Sequence, residues 1–382
     1  MKFTDSVRYD KSKNFDGNFS PRVSLVYSGG ERKQHNFRAS YQTGFRNPST
    51  QDQYIGFNVG PYVLVGSAPD NLLRYSETRS VANGTPAIGQ VYAGGSSVVM
   101  TGVNAYQNSY TKASVDQFAA FAAANPGNTP GAAALLKKTN VNNVKPEEVQ
   151  AIELGYRSQY KDINIDLNGY YNTYNNFIGN LVVVAPLYGT ASETFDFAKG
   201  AGNPIPYYSL DPEKNNPEVQ TLHALANGNI RAFQLYTNTD LKIESLGFGI
   251  GLSKRMFGYY DFGVNYNYSQ FNFDQAAAPG FEAGFNTPKH RVKASIGNEK
   301  LFENFGFNAS VRWNNEYLWE STMVDGMIDA ATVVDAQINY GLPKLKSLLK
   351  LGATNIGGKD YTQVLGAGAV GQQYFISWTL NP

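Results

Sequence analysis

Residues 305–314 read FGFNASVRWN, so that Phe305, Phe307, Ala309, Val311 and Trp313 fall on one side of a two-residue repeat and Gly306, Asn308, Ser310, Arg312 and Asn314 on the other. Successive side chains of a β-strand point to opposite faces, and a repeat of two sustained over about ten residues describes a strand with one apolar and one polar face. About ten residues is also the length at which a tilted strand crosses a membrane as part of a barrel. The same separation recurs with Tyr260, Phe262, Val264, Tyr266 and Tyr268 against Asp261, Gly263, Asn265, Asn267 and Ser269. It returns with Val334, Ala336, Ile338 and Tyr340, with Tyr374, Ile376, Trp378 and Leu380, and with Ile152, Leu154 and Tyr156.

Carried along the chain, the repeat predicts twelve strands, at 2–10, 19–28, 34–45, 148–160, 163–180, 230–256, 259–273, 288–299, 303–317, 331–341, 346–356 and 371–380. A soluble β-sandwich or β-helix also has one apolar face, and two features argue against it. Tyr27, Tyr41, Phe45, Tyr156, Tyr160, Tyr171, Tyr268, Trp313, Tyr340 and Trp378 fall on the apolar face near strand ends, the place of an interfacial aromatic girdle. Connections also alternate between tight turns, such as Lys161-Asp162 and Phe257-Gly258, and long loops at about 46–147 and 181–229, as in barrels with periplasmic turns and extracellular loops. The fold expected is therefore all-β, an antiparallel transmembrane β-barrel with short helices in its extracellular loops. Those helices are expected from Thr129-Pro130 through Gly131 to Lys138, from Asn216-Pro217-Glu218 to Asn227-Gly228, and over Asp116 to Ala124 with Ser114 as cap.

Composition excludes several function classes. Among 382 residues, 32 Lys and Arg against 31 Asp and Glu leave a formal charge of +1, which gives no field able to hold a nucleic acid by its phosphates. With no cysteine there is no disulfide scaffold, thiolate metal site or Cys nucleophile. No apolar run is long enough for a membrane helix, and hydropathy of this kind is silent on barrels. The start MKFTDSVRYD has no apolar leader region, so the chain is expected either not to be exported or to begin inside a longer one. A Ser-His-Asp site would have to use His35, His223 or His290, which fall at a strand start, in a loop helix and at another strand start; no GxSxG, HExxH or Walker motif occurs, and the reading is non-enzymatic. Asp10 to Gly17 places oxygen-bearing residues at alternate positions, but Phe15 stands where a calcium loop needs its glycine, so it reads as an ordinary polar loop, and no metal or cofactor is expected.

Three segments carry a family resemblance. Phe45-Arg46-Asn47-Pro48 ahead of a long loop, the strand Glu153-Leu154-Gly155-Tyr156-Arg157, and the terminal run Leu351 to Ile356, Lys359-Asp360-Tyr361 and Gln373 to Trp378 resemble TonB-dependent outer-membrane receptors. That resemblance implies a 22-stranded barrel occluded by an N-terminal plug, importing a scarce nutrient (siderophore-iron, cobalamin or glycan) with energy delivered by TonB. Residues 1–382 would then be the C-terminal part of such a barrel, with the plug and first strands absent, sited in the outer membrane as a multi-pass barrel. Its partners would be outer-membrane lipid, the plug, the TonB complex through that plug, and a small-molecule or oligosaccharide ligand. The chain departs from the commonest pattern in ending Leu380-Asn381-Pro382 rather than on an aromatic residue. The competing reading is a passive twelve-stranded channel or structural barrel.

Candidate site residues follow from the two faces. Arg38, Glu153, Arg157, Asp261, Arg312 and Asp335 are expected toward the lumen, as a solvated wall or as a surface for the plug. Tyr207, Tyr208 and Trp319, with Tyr54 and Tyr62, lie in or beside the long loops and are expected to stack on the ligand, packing of the loops themselves being the alternative.

Overall fold

The computed structural model describes residues 1–12, 15–195, 197, 216–277, 281–282, 284–321 and 324–380. Its main element is a twelve-stranded sheet in which chain order is sheet order and every neighbouring pair is antiparallel. The strands are Lys2–Asp10, Asn18–Gly29, His35–Arg46, Glu147–Tyr160, Ile163–Asn175, Ile243–Met256, Tyr260–Asn272, His290–Phe302, Phe305–Asn314, Ala331–Leu342, Ser347–Thr354 and Gln373–Leu380. Twelve were expected, ten of them close to these bounds. Tight turns gather at one end of the sheet and long connections at the other; Met256 pairs with Tyr260 across a three-residue loop in which Phe257 and Gly258 have positive φ, 51° and 77°, and the Tyr259 N–H donates to the Met256 carbonyl at 3.3 Å.

The register confirms two chemically distinct faces. Val311 lies opposite Ala294 and Val334, and Ser310 opposite Ser295 and Asp335. The apolar face is uncovered: Val311 is 36% exposed, Val334 40%, Ile338 43% and Trp378 62%. A patch this long and continuous requires a nonaqueous neighbour. Its aromatics form two bands. Tyr27, Phe37 and Tyr156 follow one another toward the turn end with ring centroids 6.4 and 4.7 Å apart, and Phe248 sits 5.7 and 5.4 Å from Tyr266 and Tyr268 toward the loop end. Among the described residues no helix is long and apolar enough to cross a membrane, so crossing falls to the strands.

Two expected strands are each two. Residues 163–180 break at Asn176, where φ turns to 51°, and the chain continues as Phe177–Pro186; residues 230–256 divide into Ile230–Thr239 and Ile243–Met256. The reason is visible in FIGNLVVVAP, where Val183, Val184 and Ala185 are all buried. An unbroken apolar run belongs to a strand covered on both faces, not to one with a solvated side.

These two pieces are the centre of a second, seven-stranded mixed sheet built from the long loops. Ile230–Thr239 pairs with Phe177–Pro186 and, in parallel, with Val63–Val65. One face packs Val63, Val65, Met100, Tyr106, Phe233 and Leu235; the other packs Tyr110, Phe118, Leu136 and Leu222 beneath the helices Lys112–Ala124, Thr129–Ala133 and Pro217–Ala226. Two helix starts differ from expectation because neighbouring side chains compete to cap. Asn128 accepts the Gly131 N–H, so the cap precedes Thr129, and that helix stops at Ala133; Thr111 accepts the Ser114 N–H, so Lys112–Ala124 begins earlier than Ser114 suggested. Asn216 caps its helix as expected, accepting from the Glu218 N–H. A shielded ion pair, Arg231 Nε to Glu77 Oε1 at 2.6 Å, ties the hairpin Ser76–Ser80/Ser97–Thr101 to the sheet.

The two faces give a direct test. Val311→Arg should cost about 2 to 4 kcal/mol of folding stability in lipid vesicles, and Ser310→Arg much less; equal losses in urea titrations would refute the assignment of faces. In the loop layer, Glu77→Ala strands Arg231 as a buried unpaired charge, worth about 3 to 5 kcal/mol. Faster proteolysis of the loops in this variant, relieved by adding Arg231→Met, is the expected outcome.

Candidate functional site

Cross-strand pairing places the charged residues of the polar face in rows. One row runs Arg157, Asp166, Gly251, Asn265, Lys293 and Arg312; the next runs Gly155, Asn168, Gly249, Asn267, Arg291 and Asn314; above it stand Glu153, Tyr170, Gly247 and Ser269. All six residues expected toward the lumen share this face. Arg157 Nε donates to Asp166 Oδ2 at 2.9 Å, while Arg38 approaches the other oxygen of Asp166 at 3.9 Å. Asp261 receives both nitrogens of Arg255, at 2.8 and 3.0 Å, and Arg312 pairs with Asp335 at 3.0 Å. Glu153 accepts from Ser40 Oγ at 3.5 Å. Arg22, Arg291, Lys293 and Lys350 have no ion-pair partner among the described residues, which leaves the wall with surplus positive charge.

Glycines flatten the middle of this wall. A Cβ at Gly247 would lie 2.6 Å from the Tyr170 ring, and one at Gly249 would lie 2.9 Å from the Asn168 amide and 3.1 Å from that of Asn267, so these side chains rest on bare backbone. Toward the turn end the wall hollows into a concavity of about 1100 Å³ lined by Arg157, Asp166, Asn265 and the turn residues Arg32 and Lys33.

Toward the loop end the polar face becomes aromatic. Phe271 stacks on Phe285 at 5.0 Å and touches Tyr174, Phe177 and Phe273 at 6.3, 5.5 and 5.9 Å; Phe281 meets Phe177 and Phe273 at 6.2 and 5.8 Å. This cluster was not anticipated, although the strand carries its signal. Aromatics occupy the apolar phase from Tyr260 to Tyr268 and change phase after Gln270, with Phe271 and Phe273.

Of the residues expected to touch a ligand, the three described ones lie in different loop segments. Tyr207 and Tyr208 lie outside the described residues. Tyr54 ends the helix Thr50–Tyr54, half-buried, with the Arg74 guanidinium 5.8 Å above its ring; Tyr62 is half-buried just before Val63–Val65. Trp319 belongs to another loop, in the hairpin Tyr317–Trp319/Gly326–Ile328, and its buried indole N–H has no hydrogen-bond partner among the described residues. The histidines are held by tyrosines: His35 Nδ1 lies 2.8 Å from Tyr156 Oη and 3.1 Å from Ser158 Oγ, His290 Nδ1 2.8 Å from Tyr266 Oη, and His223 Nδ1 2.7 Å from Tyr188 Oη, with burial lowering the His223 pKa. Among the described residues no group of three His, Asp or Glu is placed to hold a metal ion.

A family model described as TonB dependent receptor-like, beta-barrel matches residues 1–356. No curated protein matches. Among solved structures, a variant of the ferric enterobactin receptor PfeA from Pseudomonas aeruginosa is 14% identical with a TM-score of 0.50, and the match covers 94% of this chain and 37% of that one. The siderophore receptor PirA from Acinetobacter baumannii is 11% identical with a TM-score of 0.53, covering 97% of this chain and 42% of that one. At such identities the likeness is one of fold, and the chain spans about two fifths of those receptors' length.

Phe271→Ala removes the ring that four others touch. Because the site is half-buried, a loss of about 2 kcal/mol is expected, below the range of a full core truncation. It should appear as faster protease cleavage in the loop 273–289 with the heat-modifiable mobility of the barrel unchanged.

Proposed function

Because the chain belongs to the TonB-dependent receptor β-barrel family, an outer-membrane family, we propose that it forms the greater part of the barrel of a receptor that binds a scarce nutrient at the cell surface and imports it with TonB-supplied energy. The loop end of the sheet is then extracellular and the polar face lines the lumen. The observation that carries this reading is the open edge on each side of the twelve-stranded sheet: among the described residues Lys2–Asp10 and Gln373–Leu380 each pair on one side alone. In hydrocarbon an unpaired strand edge leaves N–H and C=O groups that lipid cannot satisfy, so both edges call for further strands of a larger barrel.

The polar wall supports a plug inside that barrel. Its unmatched cations and flat, amide-bearing centre suit a hydrogen-bonding domain with carboxylates to offer, and the concavity at the turn end would seat it. PfeA is by name a ferric enterobactin receptor and PirA a siderophore receptor, and the wall's surplus positive charge favours an anionic chelate over a neutral ligand, so an iron chelate ranks ahead of a glycan or cobalamin. Tyr54, Tyr62 and Trp319, with Tyr207 and Tyr208, remain the aromatic candidates for ligand contact.

The test is uptake of an iron-labelled catecholate chelate, cobalamin and a labelled oligosaccharide by cells expressing the full-length gene, with and without TonB. Uptake of one ligand that ceases without TonB is expected, with Arg291→Glu/Lys293→Glu lowering it about tenfold if that ligand is anionic. Ion conductance by the purified protein in planar bilayers with no TonB-dependent uptake would instead mean a passive channel.

A further inference from the structure

The apolar side of the twelve-stranded sheet carries different chemistry at its two ends. Toward the long loops, strand pairing puts Glu148 on that side opposite Phe45, and Glu244 opposite Thr173 and Asn272. Glu244 accepts from Tyr171 Oη at 2.6 Å and holds Lys242 Nζ at 2.5 Å, so the Lys242 charge is already matched. Amides stand among them: Gln150 accepts from Tyr41 Oη at 3.5 Å, and Gln270 accepts from Tyr268 Oη.

At the turn end a large apolar side chain stands beside a lysine at four successive turns. Lys161 Nζ lies 5.5 Å from the Tyr160 ring centroid. Lys254, placed on the apolar side by its pairing with Ile163 and Phe262, comes just before Phe257; Lys300 comes before Phe302, and Lys344 and Lys346 flank Leu345. Phe257, Phe302 and Leu345 are 80%, 69% and 60% exposed. Two of these tips lean on aromatics of the apolar side: the Phe257 ring is 6.4 Å from Tyr260, and the Phe302 ring 6.0 Å from Phe305. Tyr260 and Phe305 have the phase of Phe262 and Phe307 along their strands, so the tips continue the apolar surface past the strand ends.

An apolar tip beside a cation on a flexible stem fits the headgroup layer of a membrane, where the tip enters the acyl boundary and the ammonium reaches phosphate. Among the described residues none of the five lysines is held in an ion pair, and Asp162, Glu299 and Glu303 are the carboxylates set against them. Arg255 and Asp261 at the same end neutralise each other on the polar side.

We propose that the turn end of the sheet is a recognition surface for anionic phospholipid, with Phe257, Phe302 and Leu345 seated in the headgroup layer and Lys254, Lys344 and Lys346 drawing lipids of net negative charge. A zwitterionic headgroup brings its own ammonium toward these lysines, whereas an anionic one brings only the charge they lack. The attraction acts over roughly a Debye length, about 8 Å at physiological salt, so it reaches the leaflet at the turns and not the one at the loops. At the loop end Glu148 and Glu244 present the opposite sign. The inference deepens the uptake reading, on which it rests for the membrane itself, by naming the lipid that the leaflet at the turns supplies.

The test needs no nutrient. The full-length receptor is extracted in detergent from vesicles of equal parts phosphatidylglycerol and phosphatidylethanolamine with matched acyl chains, and native mass spectrometry counts the lipids that stay bound. Phosphatidylglycerol should be retained about fivefold over phosphatidylethanolamine, and Lys254→Gln/Lys344→Gln/Lys346→Gln should cut that ratio about threefold. Lys242→Gln, at the loop end, should leave it unchanged. If the triple variant loses the heat-modifiable mobility of a folded barrel, Lys344→Gln alone is the arbiter, with a fall in the same direction expected. Equal retention of the two lipids by the wild type, an unchanged ratio in the turn variants, or an equal fall in Lys242→Gln would overturn the surface. Lipid preference without TonB-dependent uptake would overturn the receptor reading and leave the surface standing, and uptake without lipid preference would do the reverse.

Discussion

Everything in this chain depends on one constraint: inside hydrocarbon a backbone N–H or C=O finds no partner except another backbone. A strand that crosses must be bonded along its whole length on both sides, and neighbours joined by short turns meet that demand antiparallel. The twelve strands are therefore long, sequential and in tight register, and their outer side chains are apolar because they face lipid. The inner side chains are released from that demand, which is why ions, amides and bare glycines collect on one face. Surplus charge on the wall is affordable only because the wall is wet or covered by polar partners.

Above the membrane the solvent changes and so does the logic. The described residues of 46–147 and 176–242 cannot lean on lipid, and they bury their own apolar groups around a second sheet with a core on each face. Tyr92 and Tyr188, which a surface reading would offer to a ligand, are buried there beside His223. The loop 273–289 belongs to neither construction and is borrowed by both, with Phe281 on the loop sheet and Phe285 on the wall.

Legibility in the sequence followed the same division. The twelve crossing strands could be read because lipid on one face and water on the other impose a repeat of two, and Arg38, Glu153, Arg157, Asp261, Arg312 and Asp335 could be assigned to a common face for the same reason. The second sheet could not be read: Val63–Val65 and Ser109–Thr111 are three residues long and covered on both sides, and Phe177–Pro186 loses the alternation of the strand it extends. The aromatic end was legible in principle from the phase change after Gln270.

Apart from the short strand Phe281–Glu282, the loop sheet is tethered to the barrel at four places, through the strands His35–Arg46, Glu147–Tyr160, Ile163–Asn175 and Ile243–Met256, and these four are consecutive neighbours. Their feet span roughly 14 Å, three strand spacings. Kinematically this is a table on four legs rather than a flap on a hinge: it cannot swing aside without bending the sheet beneath it. Freedom at the mouth therefore falls to pieces hung on a single loop, and a body so mounted can signal its load only by changing the curvature of the four strands that carry it.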